Sequence, residues 1–177
     1  MTQAREHELL LSIVGPDRVG LISAITARLF DLGINLADTS FSVLGAGCEF
    51  TGVALAPVEL DAETVERELA GLPALAEAEV RVSRFGFGAE GGGQANYRIE
   101  VEGGDRPGLV ARLTEAFIEF DANVVRMTCT RVPLRGGEAA YVTSFAVAIP
   151  PAWAQACLAA VRNTAGQLQL ECAFREI

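Results

Sequence analysis

The chain has 177 residues, half of them apolar, and a formal charge of −9, so it can bury a substantial core and is not a disordered tail. All 14 basic residues are Arg. Without Lys, Schiff-base chemistry and the phosphate-holding lysine of a P-loop are excluded, and with His7 as the single histidine so are a His-based triad and a multi-histidine metal site. The acidic balance, with no basic cluster, argues against direct nucleic-acid contact.

The opening MTQAREHELL lacks the basic start and apolar stretch of an export signal, and no long uncharged apolar run follows. The protein is therefore read as cytoplasmic, with no membrane span. Leu9, Leu11 and Ile13 then alternate with Leu10 and Ser12, the period of a strand. After the turn Gly15-Pro16-Asp17-Arg18-Val19-Gly20-Leu21 the pattern switches to helical spacing through Leu21, Ile22, Ile25, Leu29 and Leu32. Phe41 and Val43 mark a second strand after Asn35, and residues 49–56 a third. Asp61 is a good N-cap for a second helix carrying Val65, Leu69 and Leu72 on one face before Pro73. Val80, Val82 and Phe85 form a fourth strand.

The stretch from Gly86 to Gly93 reads GxGxxG, the pattern of a dinucleotide-binding turn. It leads through Gln94 and Asn96 into another strand, so no helix N-terminus stands ready for a pyrophosphate, and no cofactor is expected. It is a flexible linker over residues 87–94.

Beyond the linker the order repeats. Asp17-Arg18-Val19-Gly20-Leu21-Ile22 recurs as Asp105-Arg106-Pro107-Gly108-Leu109-Val110, 88 residues on, and the same offset carries Gly15 to Gly103, Thr26 to Thr114 and Asn35 to Asn123. Tyr97, Ile99 and Val101 begin the second copy. Leu109, Val110, Leu113, Phe117 and Phe120 line its first helix, Met127 and Cys129 lie on its second strand, and 139–149 is its third. Pro150-Pro151 sets the start of a second helix that carries Leu158 and Val161 and ends near Gly166, and Leu168, Leu170 and Cys172 form the last strand. The hairpin before the third strand is longer in this copy, with Gly136-Gly137 in the insertion.

The fold class is α+β: two tandem ferredoxin-like βαββαβ domains, residues 1–86 and 95–177, each a four-stranded antiparallel sheet with two helices on one face. The bare sheet faces and unpaired edges lead to an expected pairing of the two units and to a homodimer. Cys48, Cys129, Cys157 and Cys172 match neither a CxxC pair nor a zinc knuckle, and are read as reduced, mostly buried thiols. Glu63/Glu66 and Glu77/Glu79 read as solvated surface, and no catalytic constellation is present.

The repeated turn is the place for chemistry. A helix opening leaves backbone N–H groups without intrahelical partners, and with the helix dipole these suit a carboxylate. Gly20 and Gly108 permit close approach to the main chain. Asp17 and Asp105 offer acceptors to an ammonium group, and Asn35 and Asn123 offer both donor and acceptor atoms. The competing explanations are that the aspartates cap helices and the asparagines sit in left-handed turns.

The twice-repeated Asp-Arg-x-Gly-Leu turn within βαββαβ units resembles the ACT domain family, and two units filling the chain resemble the glycine cleavage system transcriptional repressor group. The resemblance implies a non-enzymatic regulatory protein that binds a small amino acid, glycine or serine first, and acts through a protein partner such as a DNA-binding activator. It implies ligand contacts by Asp17, Arg18, Val19, Gly20, Leu21 and Asn35, and by Asp105, Arg106, Pro107, Gly108, Leu109 and Asn123. Val19 stands where the second copy has Pro107, so the two sites differ. The alternative is a ligand-free interaction module.

Overall fold

The computed structural model describes residues 6–87, 94–104, 107–133 and 139–177. The chain divides into two units, Met1–Gly88 and Ala89–Ile177.

The first unit is built on its first strand, β1 (Glu6–Pro16), followed by α1 (Leu21–Asp31), β2 (Asn35–Leu44), β3 (Gly47–Pro57), α2 (Ala62–Ala70) and β4 (Glu79–Arg84). The strands pair antiparallel in the order β2-β3-β1-β4. Leu9, Leu11 and Ile13 on alternate positions of β1 are at most 1% exposed and share one core with Leu21, Ile25 and Leu29 of α1 and Val65 and Leu69 of α2. Both helices therefore cover the same face. Each such aliphatic side chain contributes roughly 1.5–3 kcal/mol by leaving water.

Polar details secure the rest. Asp61 caps α2 by accepting the Thr64 N–H at 2.8 Å. These hydrogen bonds to Thr64, helped by the nearby Arg67 charge, hold its carboxyl below the ordinary value of 3.8. The edge strand β4 gives its Val82 N–H to the Glu66 carboxylate of α2 at 2.8 Å, which satisfies a donor that an edge would leave open.

The second unit repeats the plan with β5 (Tyr97–Gly104), α3 (Leu109–Ile118), β6 (Asn123–Pro133), β7 (Ala139–Ala148), α4 (Ala154–Gln167) and β8 (Glu171–Glu176), ordered β6-β7-β5-β8. Its core centres on Ile99, Val101, Leu113, Phe117, Phe145 and Val147, with the Phe117 and Phe145 rings edge to face at 5.4 Å. Asn96 clamps the exit of β7: its amide donates to the Ile149 carbonyl and accepts the Ile149 N–H, both at 2.8 Å. Local irregularities repeat as well. A bulge interrupts the β2–β3 ladder after Leu36 and the β6–β7 ladder after Val124, and the left-handed residue after α1, Gly33, is matched by Asp121 after α3.

Several element boundaries need correction: Phe85 lies just past β4, which ends at Arg84, and Leu72 lies past α2, which ends at Ala70. Pro151–Trp153 forms a separate 3-10 turn and the helix proper starts at Ala154; Pro151 holds the residue before it, Pro150, extended at ψ 133°, so helical structure begins only after Pro150. The final strand starts at Glu171; Leu168 caps α4 and Leu170 is a core residue reached through Gln169 at φ 58°. Most of the expected linker, 88–93, and the Gly136-Gly137 insertion lie outside the described residues.

Gly15 and Gly103 recur for lack of room. A Cβ on Gly15 would stand 2.6 Å from the Ala78 Cβ and 2.9 Å from its Cα, and one on Gly103 would collide with the Leu170 side chain. Gly15→Ala is expected to cost about 1–3 kcal/mol by overpacking, a fall of several degrees in Tm for a chain of this size. Gly104→Ala, with nothing within 4 Å of the new atom, serves as the near-neutral control. A second expectation concerns acid. A carboxyl lowered by folding gives stability present above its unfolded value and lost as pH falls through the folded one. Melts taken below 3.8, the unperturbed value, should therefore separate wild type from Asp61→Asn, with wild type losing more.

Candidate functional site

The turn from β1 into α1 is shaped by Gly20, which occupies the capping position at φ 87°, and its counterpart Gly108 opens α3 at φ 81°. A left-handed residue at the head of a helix costs most other residues about 1 kcal/mol or more, so backbone geometry alone favours glycine at both places. Neither helix has a side-chain cap. Asp17 is therefore not an N-cap: its N–H donates to the Ala46 carbonyl at 3.1 Å, and among the described residues its exposed carboxylate makes no hydrogen bond or ion pair. Arg18 pairs with Glu77 at 2.9 Å, both well exposed, a contact worth at most about 1 kcal/mol.

Val19 and Gly20 are exposed, whereas Leu21 is 2% exposed and belongs to the core. Asn35 and Asn123 are exposed first residues of β2 and β6 at negative φ, so the left-handed-turn explanation fails for both. They also lie far from the turn of their own unit. Asn35 pairs with Leu55 while Gly15 pairs with Cys48, and those seven residues of strand span about 23 Å. Asn123 and Gly103 are separated in the same way, through Ala148 and Tyr141. One unit alone does not bring the asparagine to the turn.

In the second unit the turn borders a cavity of about 290 Å³ lined by Pro107, Gly108, Leu109, Val110, Ala111, Cys129, Tyr141 and Thr143. Three of these were singled out from the sequence; Asp105 and Arg106 lie outside the described residues, and Asn123 does not reach the cavity. The first N–H bonded within α3 is that of Arg112, to the Gly108 carbonyl at 3.0 Å, so Val110 and Ala111 bring first-turn N–H groups to the rim. Thr143 is fully buried, and its hydroxyl donates to the Cys129 sulfur at 3.4 Å.

Cys129, Tyr141 and Thr143 were missed. The thiols were all read alike, but Cys129 is exposed, Cys172 half-buried, and Cys48 and Cys157 buried. Burial pushes the Cys157 and Cys172 thiols up, the latter partly offset by Arg162. Among the described residues no cluster of His, Cys, Asp or Glu is suited to a metal, and no helix is long and apolar enough to cross a membrane.

Residues 7–83 match the model of the ACT domain family. The chain is 27% identical over 157 residues to the glycine cleavage system transcriptional repressors of Escherichia coli (strain K12) and Shigella flexneri, covering 88% of this chain and 82% of theirs. A protein of unknown function from Galdieria sulphuraria superposes with a TM-score of 0.79 at 20% identity, over 98% of this chain and 99% of that one. A solved structure provisionally named as a glycine cleavage system transcriptional repressor gives 0.66 at 15% identity, over 97% and 98%. Both structures share the fold of two four-stranded sheets with helices.

The thiols offer a direct check of the cavity's edge. In the native protein Cys129 should react first with a chromogenic disulfide reagent and Cys172 more slowly, with Cys48 and Cys157 reacting only on unfolding. Cys129→Ser should remove the fast phase; a fast phase that survives would contradict the exposure seen here.

Proposed function

We propose that this chain, a tandem ACT-domain protein resembling the glycine cleavage system transcriptional repressors, is a non-enzymatic amino-acid sensor that regulates transcription of amino-acid metabolism in the cytoplasm through a protein partner. The observation that carries the reading is the cavity at the opening of α3, bordered by Pro107, Gly108 and Leu109. Its rim combines two things a free amino acid uses: backbone donors at a helix N-terminus for the carboxylate, and a partly enclosed, mostly apolar space for the side chain. Asp17, whose carboxylate makes no hydrogen bond or ion pair among the described residues, supports by repetition Asp105 as the ammonium acceptor of the second unit. Regulatory relatives and a formal net charge of −9 support action through a partner protein rather than on DNA itself.

The signal would be carried by population shift. A ligand moves an equilibrium only by its differential affinity for two states, and the partner then alters ligand affinity by the same factor. One observation favours the second reading, an interaction module without ligand, for the first unit alone: there Phe41 and Phe50 pack into the core beside the turn.

The experiment is a thermal-shift screen of the ligand-stripped chain against the twenty amino acids. Ligand at about 100 times its Kd adds roughly 2.7 kcal/mol, a shift on the order of 5–10 °C here. A selective shift is expected, and Asp17→Ala combined with Asp105→Ala should weaken binding at least tenfold. A cooperative melt that no amino acid moves would leave the interaction module as the better reading.

A further inference from the structure

The two copies differ where the sheet faces the opening of the first helix. Cys129 stands 88 residues after Phe41, and each lies six residues beyond its strand's asparagine, past the same bulge. Across the ladder Phe41 pairs with Phe50, and Cys129 pairs with Thr143. One cross-strand position thus holds two phenyl rings in the first unit and two small side chains in the second. Phe50 is 2% exposed and Phe41 packs against the same core. The second unit has moved its bulk one row along the sheet, where Phe145 pairs with Met127 and meets Phe117; the corresponding row of the first unit is Thr39 and Gly52. The cavity of about 290 Å³ occupies the vacated end.

Its lining fixes the chemistry of an occupant. Pro107, Leu109, Val110, Ala111 and the Tyr141 ring make the walls mostly apolar, and no charged side chain borders it among the described residues. The buried hydroxyl, Thr143, already donates to Cys129. A second charge or a side-chain amide placed inside would lose water without regaining partners. A pocket of about 290 Å³, partly open to solvent, has room for much more than the hydrogen of glycine and suits a side chain on the scale of leucine, isoleucine or methionine.

We infer that the chain has one amino-acid site, confined to the second unit, and that its ligand is an α-amino acid with an aliphatic side chain of leucine or methionine size. This rests on the amino-acid-sensing reading above. The carboxylate sits at the first-turn N–H groups of α3 and the side chain points inward between Leu109 and Thr143. The first unit's own phenylalanines take the place that a ligand side chain takes in the second.

The test is calorimetric titration of the stripped full-length chain with leucine, isoleucine, methionine, glycine and serine. One equivalent per chain is expected, with the aliphatic ligands at least tenfold tighter than glycine. Cys129→Phe, which restores the first unit's residue at an exposed edge position, should weaken leucine binding at least tenfold without lowering Tm. Thr143→Phe should do the same, with Cys129→Phe deciding if that variant fails to fold. Phe41→Cys should leave the affinity unchanged. Glycine or serine binding as tightly as leucine, two equivalents per chain, or full affinity in Cys129→Phe would overturn this inference and leave amino-acid sensing standing. Absence of binding by every amino acid would overturn both.

Discussion

The site depends on one backbone constraint, a left-handed residue at the head of the first helix of each unit. With Gly20 at φ 87° and Gly108 at φ 81°, the chain leaves the central strand and enters the helix without a capping side chain. No side-chain cap claims the first-turn N–H groups, and in α1 only that of Leu21 is taken, by the Arg18 carbonyl at 3.3 Å, which leaves those of Ile22 and Ser23 at the end of the sheet. A Ser or Asp at that position would satisfy one of these donors itself. The glycine serves the fold and the site by the same property, and its recurrence alone does not distinguish them.

What distinguishes them is the packing beneath the turn. The two units share strand order, bulge and capping geometry, yet they fill the turn end of the core differently. Phe41 and Phe50 close it in one unit, while Cys129 and Thr143 leave it open in the other. Deleting a buried ring usually costs several kcal/mol unless the surroundings collapse or another group fills the space. The second unit retains its aromatic packing one row away, where Phe117 and Phe145 meet edge to face. That displacement preserves a core while leaving space beside the helix opening.

Most of the architecture was legible in the sequence because hydrophobic period and a gap-free repeat report directly on which residues face a core. Leu9, Leu11 and Ile13 alternate and are buried; Ile25 and Leu29 recur at helical spacing and meet them. The failures arose where backbone chemistry outranked periodicity, at Pro150-Pro151 and at Gln169. The turn was legible for the same reason as the fold, but the cavity was not. The offset of 88 that relates the second strands fails across the lengthened hairpin, where the ladders place Thr143 opposite Cys129 as Phe50 lies opposite Phe41. Without the pairing register, Thr143 has no visible counterpart, and Cys129 passes for another buried thiol. The asparagines recur and are exposed, but the distance between the two ends of one sheet is a property of topology that no linear motif carries.

A duplicated fold with one filled and one open core has a consequence for how a signal is generated. Two equivalent sites can respond cooperatively when both favour the same state. A single site gives a response no steeper than simple binding, and its range is set by the ratio of ligand affinities in the two states of the chain. The filled unit is not idle in such a scheme. Its core closes without a ligand, whereas the open unit, taking a ligand as proposed, would gain stability as its cavity fills. Ligand concentration would then alter the stability of one unit and not of the other. In that scheme the range of the response would be set by one site's differential affinity rather than by two.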